Sequence, residues 1–97
     1  MEKGGYIYIL TNKNNTVLYV GVTSNLEQRI RQHRSGYFKN AFTSRYNVTK
    51  LVYYEMLLTI EDAIHREKQL KGGSRKKKME LINKRNPEWK DLYENIC

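Results

Sequence analysis

Two short runs constrain this chain most. Tyr6-Ile7-Tyr8-Ile9-Leu10 and Val17-Leu18-Tyr19-Val20-Gly21-Val22 are rich in aromatic and β-branched residues, which favour strands. Thr11 to Thr16 between them (Thr-Asn-Lys-Asn-Asn-Thr) is turn material, so the two runs form a β-hairpin. Side chains alternate between the faces of a strand. If Leu10 faces Val17, then Tyr8 faces Tyr19 and Ile7 faces Val20. Ile7, Ile9, Leu18 and Val20 then share one apolar face, and Tyr6, Tyr8, Tyr19 and Gly21 share the other. A one-residue slip scrambles that segregation. The expected register sets Tyr8 beside Tyr19, and Gly21 leaves the backbone open to close approach.

The rest of the chain supplies one more strand and several helices. Ser24-Asn25-Leu26-Glu27 has a capping-box pattern and opens a helix to about Arg34. A loop follows from Ser35 to Lys50. Leu51-Val52-Tyr53-Tyr54-Glu55 reads as a third strand, extending towards Leu57. Thr59 opens a second helix to about Lys71, which Gly72-Gly73 stops. Ser74 caps a third helix through about Lys84, and Asn86-Pro87 caps a short last one. The fold class is α/β, of the α+β kind. A three-stranded, mainly antiparallel sheet is flanked by helices in the order β-β-α-β-α-α. The 97 residues suit one small domain over 1–97, its core about 5–85 and a short terminal helix at about 87–95.

Charge narrows the partners. Eighteen basic against ten acidic residues give a net charge of +8, which asks for a polyanion. Nucleic acid leads, an anionic membrane surface is second, and a merely soluble basic protein is the bland alternative. No stretch approaches the roughly 20 apolar residues of a membrane span. The N-terminus lacks the apolar run of a signal peptide, and the one cysteine, Cys97, cannot form an internal disulfide. The expected location is the cytoplasm.

Several polar residues fall where apolar ones belong. On the second helix Ile60, Ala63, Ile64 and Leu70 define the inward stripe, Glu67 lies inside it and Lys71 at its edge. A carboxylate there binds a metal or pairs with Lys71, one turn on. On the first helix Leu26 and Ile30 point inward, and Arg29 and His33 flank the same stripe. An inward guanidinium asks for an anion, Glu67 or a phosphate. His33 reads as a packed histidine or a proton acceptor, and the tyrosines as core filling or as part of a site. Together they supply a candidate base, an anion clamp and a metal ligand. The chain has no Walker loop, no zinc-ligand spacing and no Ser-His-Asp set.

These motifs resemble the GIY-YIG nuclease superfamily, closest to its short stand-alone bacterial members. Tyr6-Ile7-Tyr8 and Tyr19-Val20-Gly21 stand at its two signatures. Arg29 matches the family's helix arginine, His33 a histidine one turn later, and Glu67 its metal-binding glutamate. Asn86 stands where an asparagine often completes the site, with Asn83 a nearby alternative. Two positions depart from the pattern: Tyr6 replaces the first signature's glycine, and Val22 stands where some members carry a lysine.

The resemblance implies a metal-dependent endonuclease that hydrolyses nucleic-acid phosphodiester bonds, DNA first, in repair or processing. The alternative is a catalytically weak nucleic-acid-binding module of the same fold. The implied cofactor is one divalent ion, Mg²⁺ or Mn²⁺, on Glu67, since Mg²⁺ keeps most of its waters. Tyr8 would be the base, with its phenolate favoured by Arg29, the metal and the basic surroundings. Tyr19 would position the attacking water, Arg29 would clamp a phosphate oxygen, and His33 would assist or replace Tyr8. Arg75-Lys76-Lys77-Lys78 opens the third helix, where cations oppose the helix dipole unless a phosphate docks. With Lys71 and Arg45 they form the expected nucleic-acid surface, to which the loop aromatics Tyr37, Phe38 and Tyr46, amid Lys39 and Lys50, could add a groove. No targeting domain is visible, so the expected specificity is low or supplied by a protein partner or a second copy.

Overall fold

The structure is a computed structural model, and it describes residues 4–37 and 41–96. Phe38, Lys39 and Cys97 lie outside the described residues. Three antiparallel strands form one sheet: β1 (Gly5–Thr11), β2 (Leu18–Thr23) and β3 (Lys50–Leu57), in the order β2-β1-β3. The central strand β1 is buried at all positions but Tyr6. Helices α1 (Leu26–Ser35) and α2 (Phe42–Arg45) lie between β2 and β3 in the chain. Helices α3 (Ile60–Gly72), α4 (Arg75–Arg85) and α5 (Tyr93–Ile96) follow β3.

The hairpin register differs from the expected one. Tyr8 faces Gly21 and Leu10 faces Tyr19, a slip of two residues. Such a slip keeps every side chain on its expected face, so the apolar pattern cannot distinguish the two registers. Turn chemistry and a close contact do. Asn12 Oδ1 accepts the backbone N–H groups of Thr16 at 2.8 Å and Val17 at 3.1 Å, and Asn15 adopts a left-handed φ of 60°. Opposite Tyr8, a side chain at position 21 would begin 2.3 Å from the phenol ring and hydroxyl. Only glycine lets that ring lie across the neighbouring strand.

The sheet carries a core on each face. Ile7, Ile9, Val20 and Val52 pack with Ala63, Leu70, Ile82 and Trp89 under α3 and α4. Tyr8, Leu10 and Leu51 pack with Leu26, Ile30 and Val48 under α1. Each fully buried Ile or Leu contributes about 1.5–3 kcal/mol. Glu55 on β3 meets Arg66 on α3 at 3.0 Å and hydrogen-bonds the Tyr53 hydroxyl, so a polar bridge ties α3 to the edge strand.

Helix boundaries follow capping chemistry, with corrections. Asn25, not Ser24, caps α1 by accepting from the Gln28 N–H at 3.1 Å, and Gly36 ends the helix at φ 78°. The stretch expected as loop between Ser35 and Lys50 contains the one-turn helix α2. Thr59 and Ser74 cap α3 and α4. Ile64, expected in the buried stripe, is 38% exposed. Asn86 does not cap a last helix. It ends α4, and the chain runs irregularly to α5.

Candidate active site

The slipped register builds the site. With Gly21 beneath it, the Tyr8 ring is fully buried and turned towards β2 and α1. Tyr19, two residues before Gly21, is a diagonal neighbour, with ring centroids 6.4 Å apart. Arg29 and His33 enter one turn apart from α1. The His33 ring stands edge-on to both tyrosines, 5.9 Å from Tyr8 and 5.7 Å from Tyr19. Its Nε2 lies 3.1 Å from the Tyr8 hydroxyl. Its Nδ1 lies 2.9 Å from the Thr43 hydroxyl on α2. Arg29 hydrogen-bonds the Tyr8 phenol.

Glu67 approaches from α3. Its residue is only 8% exposed, and its carboxylate is paired with the Lys71 ammonium one turn on. That ammonium also lies 6.0 Å from the Tyr19 ring centre. The carboxylate acts electrostatically on Tyr8. Tyr8, Tyr19, Arg29, His33, Glu67 and Lys71, read from four separate elements, are thus neighbours.

The phenolate was expected to be favoured by Arg29, a metal and the basic surroundings; in the protein alone burial outweighs Arg29. Burial pushes the Tyr8 phenol up to about 12, helped by Tyr19 and Glu67; Arg29 pulls the other way but does not win. Burial, with the Arg29 charge second, lowers His33 to about 4. At neutral pH the pair is therefore a phenol against a neutral imidazole. Arg29 already donates to the phenol oxygen. The arrangement that gives every group a donor and an acceptor has Tyr8 O–H donating to Nε2 and Nδ1–H donating to Thr43.

Two contributors escaped the sequence reading. Thr43 is 1% exposed and sits in a segment with no periodic pattern, so nothing marked it. The role of Gly21 was visible only as an open backbone position. Asn86 is engaged elsewhere. Its amide donates to the Val52 carbonyl at 3.0 Å and the Lys90 carbonyl at 2.8 Å, and its oxygen accepts the Lys90 N–H at 3.0 Å. Asn83 accepts the Trp89 indole N–H at 2.6 Å. Among the basic residues, Arg45 is exposed on α2, and Arg75, Lys76 and Lys77 are exposed at the start of α4. Lys78 reaches back to the Gly73 carbonyl at 3.1 Å.

Comparison with known families decides what this cluster belongs to. The model of the GIY-YIG catalytic domain matches residues 4–86. The chain belongs to the GIY-YIG family. The match runs from the first strand to the end of α4 and holds the whole cluster. Relatives of this GIY-YIG domain include a UPF0213 protein of Syntrophus aciditrophicus, 41% identical over 83 residues, covering 86% of this chain and 93% of that one. A UPF0213 protein of Staphylococcus haemolyticus is 40% identical, covering 82% and 95%. The solution NMR structure of a UPF0213 protein from Bacillus halodurans superposes with a TM-score of 0.57 at 30% identity, covering 92% of this chain and 93% of that one. The three-stranded antiparallel sheet with flanking helices matches that NMR structure, and the GIY-YIG domain points to nuclease activity on nucleic acid. Among the described residues no helix is long and apolar enough to cross a membrane.

Proposed function

We propose that this GIY-YIG domain is a divalent-metal-dependent endonuclease that hydrolyses DNA phosphodiester bonds in the cytoplasm, in repair or processing. The observation that carries the reading is the Tyr8–His33 hydrogen bond of 3.1 Å, set beside Arg29 and the buried carboxylate of Glu67. A structural core has no need of two tyrosines, a guanidinium, an imidazole and a carboxylate in one place.

The donor set fits a hard ion that keeps its water. Glu67 is the buried carboxylate at the cluster, and among the described residues no group of three or more His, Cys, Asp or Glu gathers. Glu67 would hold Mg²⁺ or Mn²⁺, hard ions that accept few protein oxygens and dehydrate reluctantly. Lys71 now holds that carboxylate, and its half-exposed side chain can swing away as a phosphate arrives. Such an ion supplies charge stabilisation at the phosphoryl oxygens and the leaving oxygen.

The chain's own residues do the rest. Arg29 has five donors, enough to hold the phenol and a non-bridging phosphate oxygen together. Tyr19 orients the attacking water. Burial holds the Tyr8 phenol at about 12 in the protein alone, so its proposed role is a proton relay and not a preformed phenolate. The water proton passes to the phenol oxygen as the phenol proton passes to His33 Nε2. The water oxygen bonds to phosphorus, the bond to the leaving oxygen breaks, and solvent protonates that oxygen. Thr43 keeps Nε2 free to accept by holding Nδ1–H. Asn86 acts outside this chemistry, as a tether between the end of α4 and β3.

One observation favours a second reading. The Glu67–Lys71 ion pair satisfies the carboxylate without metal, as a binding module of weak activity would have it. The experiment that separates the two is cleavage of end-labelled single-stranded, duplex and branched DNA with and without Mg²⁺ or Mn²⁺. Metal-dependent cutting supports the nuclease. Binding without cutting in either metal supports the module.

A further inference from the structure

The rings do not stop at the reacting cluster. Tyr19 stacks on Phe42, with centroids 6.4 Å apart and planes 22° apart. Phe42 in turn meets Tyr46, with centroids 4.9 Å apart. The result is a row of three rings leading from the site out into water. Phe42 and Tyr46 remain 46% and 50% exposed, an exposure that core packing does not explain.

Cations flank the row at both ends. The Arg45 guanidinium lies 5.8 Å from the Tyr46 ring centre, and the Lys71 ammonium 6.0 Å from that of Tyr19. The segment that carries the outer rings is anchored from below. Thr43 is buried and bonded to His33, and the Val48 N–H donates to the Thr43 carbonyl at 2.8 Å. The rings are therefore held on a fixed base.

A row of rings with a cation at each end suits one class of polyanion. Bases stack on aromatic faces while cations meet the phosphates between them. In a duplex both faces of a base are already covered by its neighbours. Only an unpaired base has a face to offer. We propose that Phe42 and Tyr46 form a stacking platform for unpaired bases beside the scissile phosphate, which makes single-stranded nucleic acid the preferred substrate class. Every base has a π face, so the platform selects strandedness rather than sequence. The word substrate rests on the nuclease reading; the binding surface does not.

The test is binding without catalysis. Anisotropy of a fluorescein-labelled oligothymidylate of about 12 nucleotides is measured in EDTA with the full chain, alongside a duplex of the same length. The wild type binds the single strand more tightly. Phe42→Leu and Tyr46→Leu, which keep apolar bulk and remove the ring, each weaken single-strand binding by about 5- to 150-fold, the range for losing one base–aromatic stack. Duplex binding changes by less than about twofold, and Phe42→Trp retains single-strand affinity. Circular dichroism checks the fold, and Tyr46, at the end of α2, gives an independent variant if Phe42→Leu misfolds. A wild-type preference for duplex, unchanged single-strand binding in both folded leucine variants, or equal losses on both substrates overturns the platform. Ring-dependent single-strand binding with no cleavage in any metal overturns the nuclease reading and leaves the platform standing.

Discussion

Tyr8→Phe removes one oxygen and keeps the ring that lies across Gly21. The lost hydroxyl is fully buried, donates to His33 Nε2 at 3.1 Å and accepts from Arg29. Its removal strands a buried acceptor, which costs about 1–3 kcal/mol of stability. In a domain this small each kcal/mol lowers Tm by about 4–8 °C, so the variant's Tm is measured beside its rate. The chemical step suffers more, because the water proton loses its route to the imidazole. The single-turnover rate should fall by about 10²–10⁴, the range for general-base loss. The pH profile carries the sharper information. The phenol sits at about 12 and the imidazole at about 4, so the acceptor state of the pair is fully populated between them. Wild-type single-turnover cleavage, at saturating metal and DNA, should be nearly flat from about pH 6 to 9 and should fall on acidification as His33 takes up a proton. A tenfold rise per pH unit across that range would instead indicate a small population of preformed phenolate. That rise, or a Tyr8→Phe rate within about threefold of wild type, would refute the relay.

Three further outcomes follow from the same geometry. Thr43→Val keeps the volume and removes the partner of Nδ1; single-turnover rate should drop by about 10-fold or more as the wrong tautomer becomes populated, and an unchanged rate removes Thr43 from the mechanism. Gly21→Ala places a methyl 2.3 Å from the Tyr8 ring, so denaturant unfolding should show a loss of about 1–3 kcal/mol; a neutral result would mean the ring does not lie there. His33 titrates at about 4 when folded and 6.5 otherwise, so below pH 6.5 the unfolded chain binds a proton that the folded one refuses. Stability should therefore decline as pH falls from about 6.5 to 4, by up to about 3 kcal/mol, and the decline should be shallower in His33→Gln.

Much of this was legible in the chain, for identifiable reasons. Period-two alternation assigned Ile7, Ile9 and Val20 to one face of the hairpin and Tyr8 and Tyr19 to the other, and helical spacing placed Glu67, Arg29 and His33 inward. The register was not legible, because a two-residue slip leaves that alternation intact; the Asn12 turn and the Tyr8–Gly21 contact fix it, and both are three-dimensional. Thr43 was invisible because a one-turn helix has no periodicity. The upward shift of Tyr8 in the protein alone was not legible, because charge is visible in a sequence and depth of burial is not. Asn86 carried a motif position and an ordinary tethering role at once, and only its three hydrogen bonds reveal the latter.

Glu67 is proposed to hold the catalytic metal. The most direct test is the Mg²⁺ dependence of single-turnover DNA cleavage by wild type and Glu67→Gln, with melting temperature and DNA affinity in EDTA measured on both. Gln keeps the side chain's shape and deletes the charge that binds the ion. Wild type should cut only with Mg²⁺ and the variant should lose about 10²-fold or more, with a folded protein and DNA affinity within about threefold of wild type. Full cleavage by folded Glu67→Gln, or a loss of activity that only tracks a collapse in Tm, would contradict the proposed role and leave Glu67 as the structural partner of Lys71.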